Sequence, residues 1–332
     1  MGIKLSFCIP TYNFADFIGE TLESIIIQAT DEVAVIIVDG GSTDNTREIV
    51  ESYQKKFPRI LYFLRDKNIG VDRDLAKTVE LATGDYCWFM SSDDKLSPGA
   101  IKKVLDEIKY GHDIYLCNRM ECDFNLRPIR KRLWFSPGTA DKVFDFTGRN
   151  ELIAYLGSSR SIGALFSYCS SIIFNRQKWN KVNCPELFME TGYAHVYRLF
   201  SFTGIECKIK YIKDALVLCR GDNDSFLANG LVRRFMLDID GYRLLADNLF
   251  NNDPELRIAF LSVLRREVRL HYLIKVRSSA GDMGLWGMIE KKLISCGYSP
   301  LTLCVARKVG ALKLFVSAAF YIKHKIEDML VS

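Results

Sequence analysis

The chain has 332 residues, 48% of them hydrophobic and 26% charged, with a net charge of +5. That is an ordinary globular balance, and the length suggests about two domains. The small positive excess fits an anionic partner such as a phosphorylated substrate or a membrane surface, and by its size excludes any argument for nucleic acid.

The first 120 residues alternate between two patterns. "KLSFCIP" is a continuous apolar run of strand length, and "FADFIGETLESIIIQA" carries apolar residues at helical spacing. "VAVIIVDG" predicts a second buried strand, and Asn45 with Glu48 three residues on marks a helix start before "TREIVESYQKKF". "RILYFLRD" predicts a third strand, "VDRDLAKTVELATG" a helix closed by Gly84, and "DYCWFM" a fourth strand. "PGAIKKVLDEIKYG" reads as a helix with proline in its first turn, and "DIYLCNR" as a fifth strand. Strands that are apolar throughout, alternating with helices, imply an α/β fold with a mostly parallel sheet covered on both faces.

The pattern changes from about residue 121 to 228. "RPIRKR" reads as a basic loop, "RNELIAYL" and "RQKWNKV" as helices, and "SYCSSIIF" and "ALVLCR" as strands. From about residue 229 the signal is helical, beginning with "VRRFMLDIDGYRLLADNLF" and "PELRIAFLSVLRREVRLHYLIKV". The expected organisation is therefore 1–120 and 121–228 as two halves of one sheet domain, with 229–332 as a helical C-terminal domain. No CxxC pair occurs among the ten cysteines, and Cys8, Cys117 and Cys219 sit inside apolar runs. A reduced, cytoplasmic chain is the expectation. The N-terminus opens directly on a strand, with no signal-peptide pattern, and no apolar run reaches the ~18 residues of a membrane-spanning helix.

In an open parallel sheet, ligands bind outside the carboxyl ends of the strands. The polar clusters fall at those ends: Pro10-Thr11-Tyr12-Asn13, then Asp39 to Asp44, then Asn68 to Arg73, then Ser91-Ser92-Asp93-Asp94. Each alone is an ordinary strand-to-helix turn. Four on one edge point to a shared site.

The motifs "SFCIPTYN", "VIIVDGGSTDNT", "DKNIGVDRD" and "DYCWFMSSDD" resemble, in this order, those of family-2 glycosyltransferases of GT-A fold. The resemblance is strong over residues 3 to 120 and weak from 120 to 228. In finer detail "SSDDKLSPGAI", "SIGALFSYCSSIIF", "YAHVYRLFS" and "LVLCRGDNDSF" resemble bacterial abequosyltransferase-like proteins.

The resemblance implies a nucleotide-sugar donor whose diphosphate is neutralised by Mg²⁺ or Mn²⁺ as the bond to the sugar breaks. Residues i and i+2 on extended backbone face the same way, so an Asp-x-Asp pair can address one ion. That pair falls on Ser91 and Asp93, so the first carboxylate is a serine and metal binding is expected to be weak or to depend on the donor phosphates. Asp93 is the expected metal and diphosphate residue, Asp94 an adjacent reserve, and Ser92 a neighbour in the same turn. Asp39 is expected to accept a hydrogen bond from the base, with Pro10, Thr11 and Asn13 shaping the base and ribose pocket. A second Asp often follows the first in the family; here it is Gly40. Asp72 and Arg73 fall in the third nucleotide-contact region, where Arg73 suits a phosphate or base edge and reads equally as an exposed helix-face arginine.

The family's catalytic base usually comes from a Glu-Asp pair about a hundred residues after the metal motif. The matching segment "FMETGYAHVYRLFS" has Glu190 followed by Thr191. Glu190 or His195 is the candidate base, against a capping glutamate and a buried histidine. Arg220 falls where family members often place an arginine near the donor phosphates, followed by Asp222 and Asp224.

The segment from Leu301 is apolar and basic together, with Arg307, Lys308, Lys313, Lys323 and Lys325, and its uninterrupted apolar run from Leu314 to Ile322 is too short to span. It reads equally as a basic amphipathic helix on an anionic inner-membrane surface and as a helix packed on the domain or on a second copy of the chain. "RPIRKR" is a further point where lipid phosphates could be met. Together these readings imply a cytoplasmic glycosyltransferase, peripheral on the membrane in the first of them. It would transfer a sugar to a glycan or polyprenyl-linked glycan in surface-polysaccharide synthesis of the O-antigen kind. A nucleotidyltransferase would need a Gly-rich basic loop after strand one, which "IPTYNFAD" lacks. A non-catalytic binding protein is the second rival, raised by Ser91 and Thr191.

Overall fold

The computed structural model describes residues 2–202 and 206–311. The chain divides into two compact units between Asn223 and Asp224. In the first, β1 (Leu5–Thr11), α1 (Ala15–Ile26), β2 (Val33–Asp39), α2 (Thr46–Lys56), β3 (Ile60–Leu64), α3 (Val71–Leu81) and β4 (Tyr86–Phe89) alternate. After them come β5 (Lys95–Leu96), α4 (Ala100–Ile108), β6 (Ile114–Cys122), β7 (Pro128–Arg132), β8 (Lys142–Asp145) and α5 (Arg149–Ser158). The unit closes with β9 (Ile172–Asn175), α6 (Arg176–Asn180), α7 (Ala194–Ser201) and β10 (Lys208–Cys219).

The strands form one sheet in the order β3-β2-β1-β4-β9-β6-β10-β5, with β7 on β6 and β8 on β10. β1 pairs parallel with both β2 and β4, and β2 parallel with β3. This region is the parallel sheet that the apolar runs predict, and every residue of β2 is buried. Beyond β4 the sheet is mixed, because β9 enters antiparallel between β4 and β6. Leu5, Phe7, Ile9, Val35, Ile37 and Trp88 form one core with Ile18, Leu22 and Ile25 of α1 and Val104 of α4. Burying each large side chain contributes roughly 1.5–3 kcal/mol. That core fixes the strand ends on which the polar clusters sit.

Three local expectations are revised. "RPIRKR" is not a loop: Pro128–Arg132 is β7, antiparallel to β6. Arg119 and Arg132 lie opposite each other, as do Glu121 and Arg130, and the Arg130 guanidinium donates to Glu121 at 2.6 Å. Ion pairing across two strands supports this one, which no apolar period could reveal. Asn45 makes no side-chain cap on α2; Asp44 accepts from the Thr46 amide at 3.0 Å instead. Gly84 lies beyond the end of α3 and serves a close approach, since its amide donates to the Ser6 hydroxyl at 2.9 Å and a Cβ there would meet the Ser6 nitrogen at 2.8 Å.

The second unit is helical: α8 (Leu231–Leu249), α9 (Pro254–Glu267), α10 (Leu270–Ala280), α11 (Met283–Ser295) and α12 (Pro300–Gly310). Asp253, Asp282 and Ser299 cap α9, α11 and α12 with side-chain oxygens. Phe235, Tyr242, Phe260, Leu273, Trp286 and Leu293 are buried among these helices. Among the described residues, no helix is long and apolar enough to cross a membrane. The run Leu314 to Ile322, with Lys313, Lys323 and Lys325, lies outside the described residues.

Candidate active site

The ends of β1 and β2 are stitched together. Asn13 sits at φ 57, a left-handed conformation that asparagine tolerates. Its side-chain oxygen accepts from the Thr43 amide at 2.8 Å, and its own amide donates to the Ser42 hydroxyl at 2.8 Å. The Gly40 amide donates to the Thr11 carbonyl at 2.8 Å, and the Ala15 amide to Asp44 at 3.0 Å. The Ser92 hydroxyl donates to the Pro10 carbonyl at 3.1 Å, which ties in the turn after β4. Pro10, Thr11, Asn13, Asp39 and Ser92 are thus brought together.

Asp39 is wholly buried. One oxygen accepts from the Ser42 amide at 2.7 Å, the other from the Tyr62 hydroxyl at 2.7 Å. Burial, then the bond to Asp39, holds the Tyr62 phenol far above its ordinary range. The carboxylate expected to face a base is therefore buried, with one oxygen already held by Tyr62 and the other by Ser42. Tyr62 lies on the next strand, two residues along β3 from Leu64, the register partner of Asp39, and nothing in the sequence singles it out.

The turn after β4 separates its two carboxylates. Asp93 accepts from the Ser91 hydroxyl at one oxygen and from the Asn223 amide nitrogen at 2.8 Å at the other. Asp94 is corrected as a reserve metal ligand. It is buried, and its oxygens accept from the hydroxyls of Tyr168 (2.5 Å) and Ser170 (2.6 Å) and from the Arg220 amide (3.2 Å). Burial, with the Asp93 charge second, pushes its carboxyl up to about 7 against those bonds. Asp94 anchors the turn, and Asp93, itself largely buried, keeps its oxygens on Ser91 and Asn223.

Arg220 is likewise corrected. Each of its three guanidinium nitrogens donates within the protein: to the Asp93 carbonyl at 3.1 Å, the Phe124 carbonyl at 2.6 Å and the Glu20 carboxylate at 2.7 Å. Its plane lies over the Phe17 ring, 4.9 Å from the centroid. It braces the Asp93 backbone instead of standing open for a phosphate. Asp222 sits at φ 54 beside it, and Asp224 caps the turn that follows Asn223.

The first turn of α3 holds the loop that carries Glu190. Asp72 is buried and accepts from the amides of Gly192 at 2.7 Å and Ala194 at 3.1 Å. Burial raises its carboxyl and those amides oppose the rise. Arg73 donates to the Met189 carbonyl at 2.9 Å, pairs with Glu186 and lies 3.7 Å from Glu190. The two residues expected at the nucleotide thus grip the loop that carries Glu190. Glu190 keeps 83% of its side chain exposed. Thr191, in place of the acidic partner, turns inward and donates to the Phe188 carbonyl at 2.8 Å.

His195 is corrected as an alternative base. It is buried in the first turn of α7, its Nε2 lies 2.9 Å from the Phe166 carbonyl, and Nδ1 is buried without a partner. The carbonyl makes Nε2 the protonated nitrogen. Burial pushes its pKa down to about 4, so the ring is neutral and shut away from solvent.

Among the described residues no cluster of three or more His, Cys, Asp or Glu could cage a metal. Asp93 with the Ser91 hydroxyl beside it suits a hard cation that takes its remaining oxygens from a substrate diphosphate. The residues fit that arrangement and not a preformed ion site.

The Glycosyl transferase family 2 model matches residues 6–182, more than half of the chain. Abequosyltransferase RfbV of Salmonella typhimurium is 34% identical over 327 residues, covering 96% of each chain. Among solved structures, S. aureus TarS in complex with UDP-GlcNAc matches at TM-score 0.61 and 19% identity, over 97% of this chain and 92% of that one. A mannosyltransferase from Pyrobaculum calidifontis, in complex with GDP-Man and Mn²⁺, matches at TM-score 0.53 and 13% identity, over 96% and 87%. These two share the GT-A fold with it. The chain belongs to glycosyl transferase family 2, and it is a glycosyltransferase.

Proposed function

We propose that this family-2 glycosyltransferase takes its sugar from a nucleotide-sugar and passes it to a glycan or polyprenyl-linked glycan in surface-polysaccharide synthesis. The observation that carries the reading is the turn after β4, where Asp94, Arg220, Ser91 and Asn223 together hold one carboxylate, Asp93, at the carboxyl edge of the sheet. The likeness to an abequosyltransferase over nearly the whole of both chains supports a transfer of the same kind.

Pro10, Thr11, Asn13 and Asp39 frame the nucleotide. Asp93 faces the diphosphate and would hold Mg²⁺ or Mn²⁺ there with the donor's own phosphates. The ion, when bound, offsets charge on the departing nucleoside diphosphate. Glu190 accepts the proton of the acceptor hydroxyl, the task of a carboxylate placed on the acceptor side. Asp94, Arg220 and Ser92 keep the Asp93 turn in place. The basic and apolar segment from Leu301 rests on an anionic membrane surface that presents the acceptor; a contact with a second copy is the other use of the same segment.

The test is thermal-shift and donor-hydrolysis measurement on the full chain against UDP, CDP, GDP, TDP and their sugars, with and without Mg²⁺ or Mn²⁺. Stabilisation by one nucleotide class, enhanced by the ion, with slow release of sugar is the expected result. No stabilisation by any nucleotide would overturn the reading.

A further inference from the structure

Position 40 is a glycine whose backbone does not demand one, because its φ lies outside the left-handed region. What demands it is space: a Cβ there would come within 3.0 Å of Asp74 Oδ2 and 3.6 Å of both the Thr11 carbonyl and the Tyr12 Cβ. Asp74 reaches this spot from the first turn of α3, and its side chain is only 5% exposed. Its Oδ1 is held by the Arg65 guanidinium at 2.5 Å, and Arg65 is itself anchored through its amide to the Asp39 carbonyl at 2.9 Å. Oδ2 accepts no hydrogen bond among the described residues and is not sealed from solvent. A second group at the same strand ends is unsatisfied: the Thr11 hydroxyl, opposite Asp39 in the β1–β2 register, is buried without a partner.

A buried carboxylate with one oxygen pinned and the other unpaired, left uncovered because the neighbouring residue is a glycine, is poised to accept a hydroxyl. A carboxylate is the usual acceptor for a ribose diol at the carboxyl edge of such a sheet. We propose that Asp74 is a specificity-determining residue whose Oδ2, left uncovered by the missing side chain of Gly40, accepts a hydrogen bond from a ribose hydroxyl of the donor nucleotide. The side chain thus comes from α3 and not from the strand end itself. This deepens the proposed function and rests on its nucleotide-sugar reading.

The experiment is calorimetric titration of the full chain with the nucleoside diphosphate that binds tightest among UDP, CDP and GDP, and with its 2′-deoxy and 3′-deoxy forms. The native chain should bind at least one deoxy form about tenfold more weakly, since the missing hydroxyl leaves the carboxylate unpaired. In Asp74→Asn that preference should fall below about threefold, on the same ground. Gly40→Ala, which leaves Asp74 in place and pushes a methyl group against Oδ2, should lower the preference as well, and it keeps the idea testable should the first variant not fold. Gly40→Asp combined with Asp74→Ala should regain part of it, because a carboxylate then reaches the same place from the strand end. A merely structural Asp74 would change melting temperature and overall affinity and leave the ribose-to-deoxyribose ratio unmoved. An unchanged ratio in the folded single variants overturns this inference and spares the proposed function. Absence of binding by the native chain to all three nucleotides overturns both.

Discussion

The loop pair at the ends of β1 and β2 and the loop from Glu186 to Ala194 carry the two sides of the proposed site, and they are held in different ways. The first pair fastens itself: Asn13, Ser42, Thr43 and Asp39 bond one another within some thirty residues of chain. The second has short internal bonds, such as Thr191 to Phe188, and is tied down by a neighbour, with Asp72 and Arg73 bonding it from across the sequence. A pocket floor that closes its own bonds is formed before any ligand arrives. A loop gripped by two side chains of one helix turn is released by a single substitution. The donor side should therefore respond to mutation in affinity, and the acceptor side in turnover.

The largest expected effect lies between the two loops, at Asp93. Asp93→Asn keeps the size of the side chain and the bond from Ser91, and removes the charge proposed to face the diphosphate. Loss of one such transition-state contact costs roughly 3 kcal/mol, or at least about a hundredfold in kcat. Steady-state rates with an unchanged melting temperature are the measurement, and near-native turnover would remove Asp93 from the chemistry.

Asp72→Ala tests the contrast most directly. It deletes a buried acceptor of two main-chain amides, worth about 1.5–3 kcal/mol for bonds to a charged group. The loop carrying Glu190 should loosen, and kcat should fall roughly ten- to a hundredfold by the same energy. Donor affinity should hold within about threefold, because the β1 and β2 loops do not depend on Asp72. Should donor KM rise in step with the loss in kcat, the two loops are one unit and the contrast is false.

Asp39→Ala is the mirror image. It frees the Ser42 amide and the Tyr62 hydroxyl and unpins the loop from Gly40 to Asp44. Contacts made equally in ground and transition states register in KM. Donor affinity should weaken about tenfold with kcat within about threefold, the equivalent of one lost hydrogen bond. A dominant loss in kcat would assign Asp39 to the reacting end of the donor.

The same contrast explains what could be read in the amino acids. β1, β2 and β4 are legible because each is apolar on both faces, and the clusters that follow them are legible because loops at strand ends are local. Asp93 is legible for that reason. Its partner Asn223 is not, since it lies some 130 residues away and bonds it only after β10 has returned to the sheet, and Arg220, placed at the site by the resemblance, is seen to hold the Asp93 backbone only in the structure. Asp72 shows the harder failure. Its position after β3 points toward a nucleotide, whereas its carboxylate faces a loop 120 residues on. β7 fails differently: a run of arginines has no apolar period, and its strand shows only in the pairing with β6, where Arg130 meets Glu121.

The smallest effect concerns pH, and it falls on the tethered side. His195 follows the Glu190 loop at the start of α7 and is buried neutral, its pKa pushed down to about 4 from an ordinary 6.5. The unfolded chain therefore binds more protons than the folded one between those values, so stability present above pH 6.5 is lost as pH falls toward 4. Between pH 8 and pH 6 the loss from this group is about 0.8 kcal/mol, growing at lower pH. Asp94 works in the opposite sense: its carboxyl is raised to about 7, so the folded state gains relative stability as pH falls through that range. The net profile of the native chain mixes the two, and a comparison with His195→Gln separates them. Gln keeps a donor for the Phe166 carbonyl and cannot take up a proton. Melting temperatures of both chains across pH 8 to 5 should run parallel above about pH 7 and diverge below it, the native chain falling faster. Parallel curves throughout would mean that the imidazole reaches solvent, and the base role would return to His195.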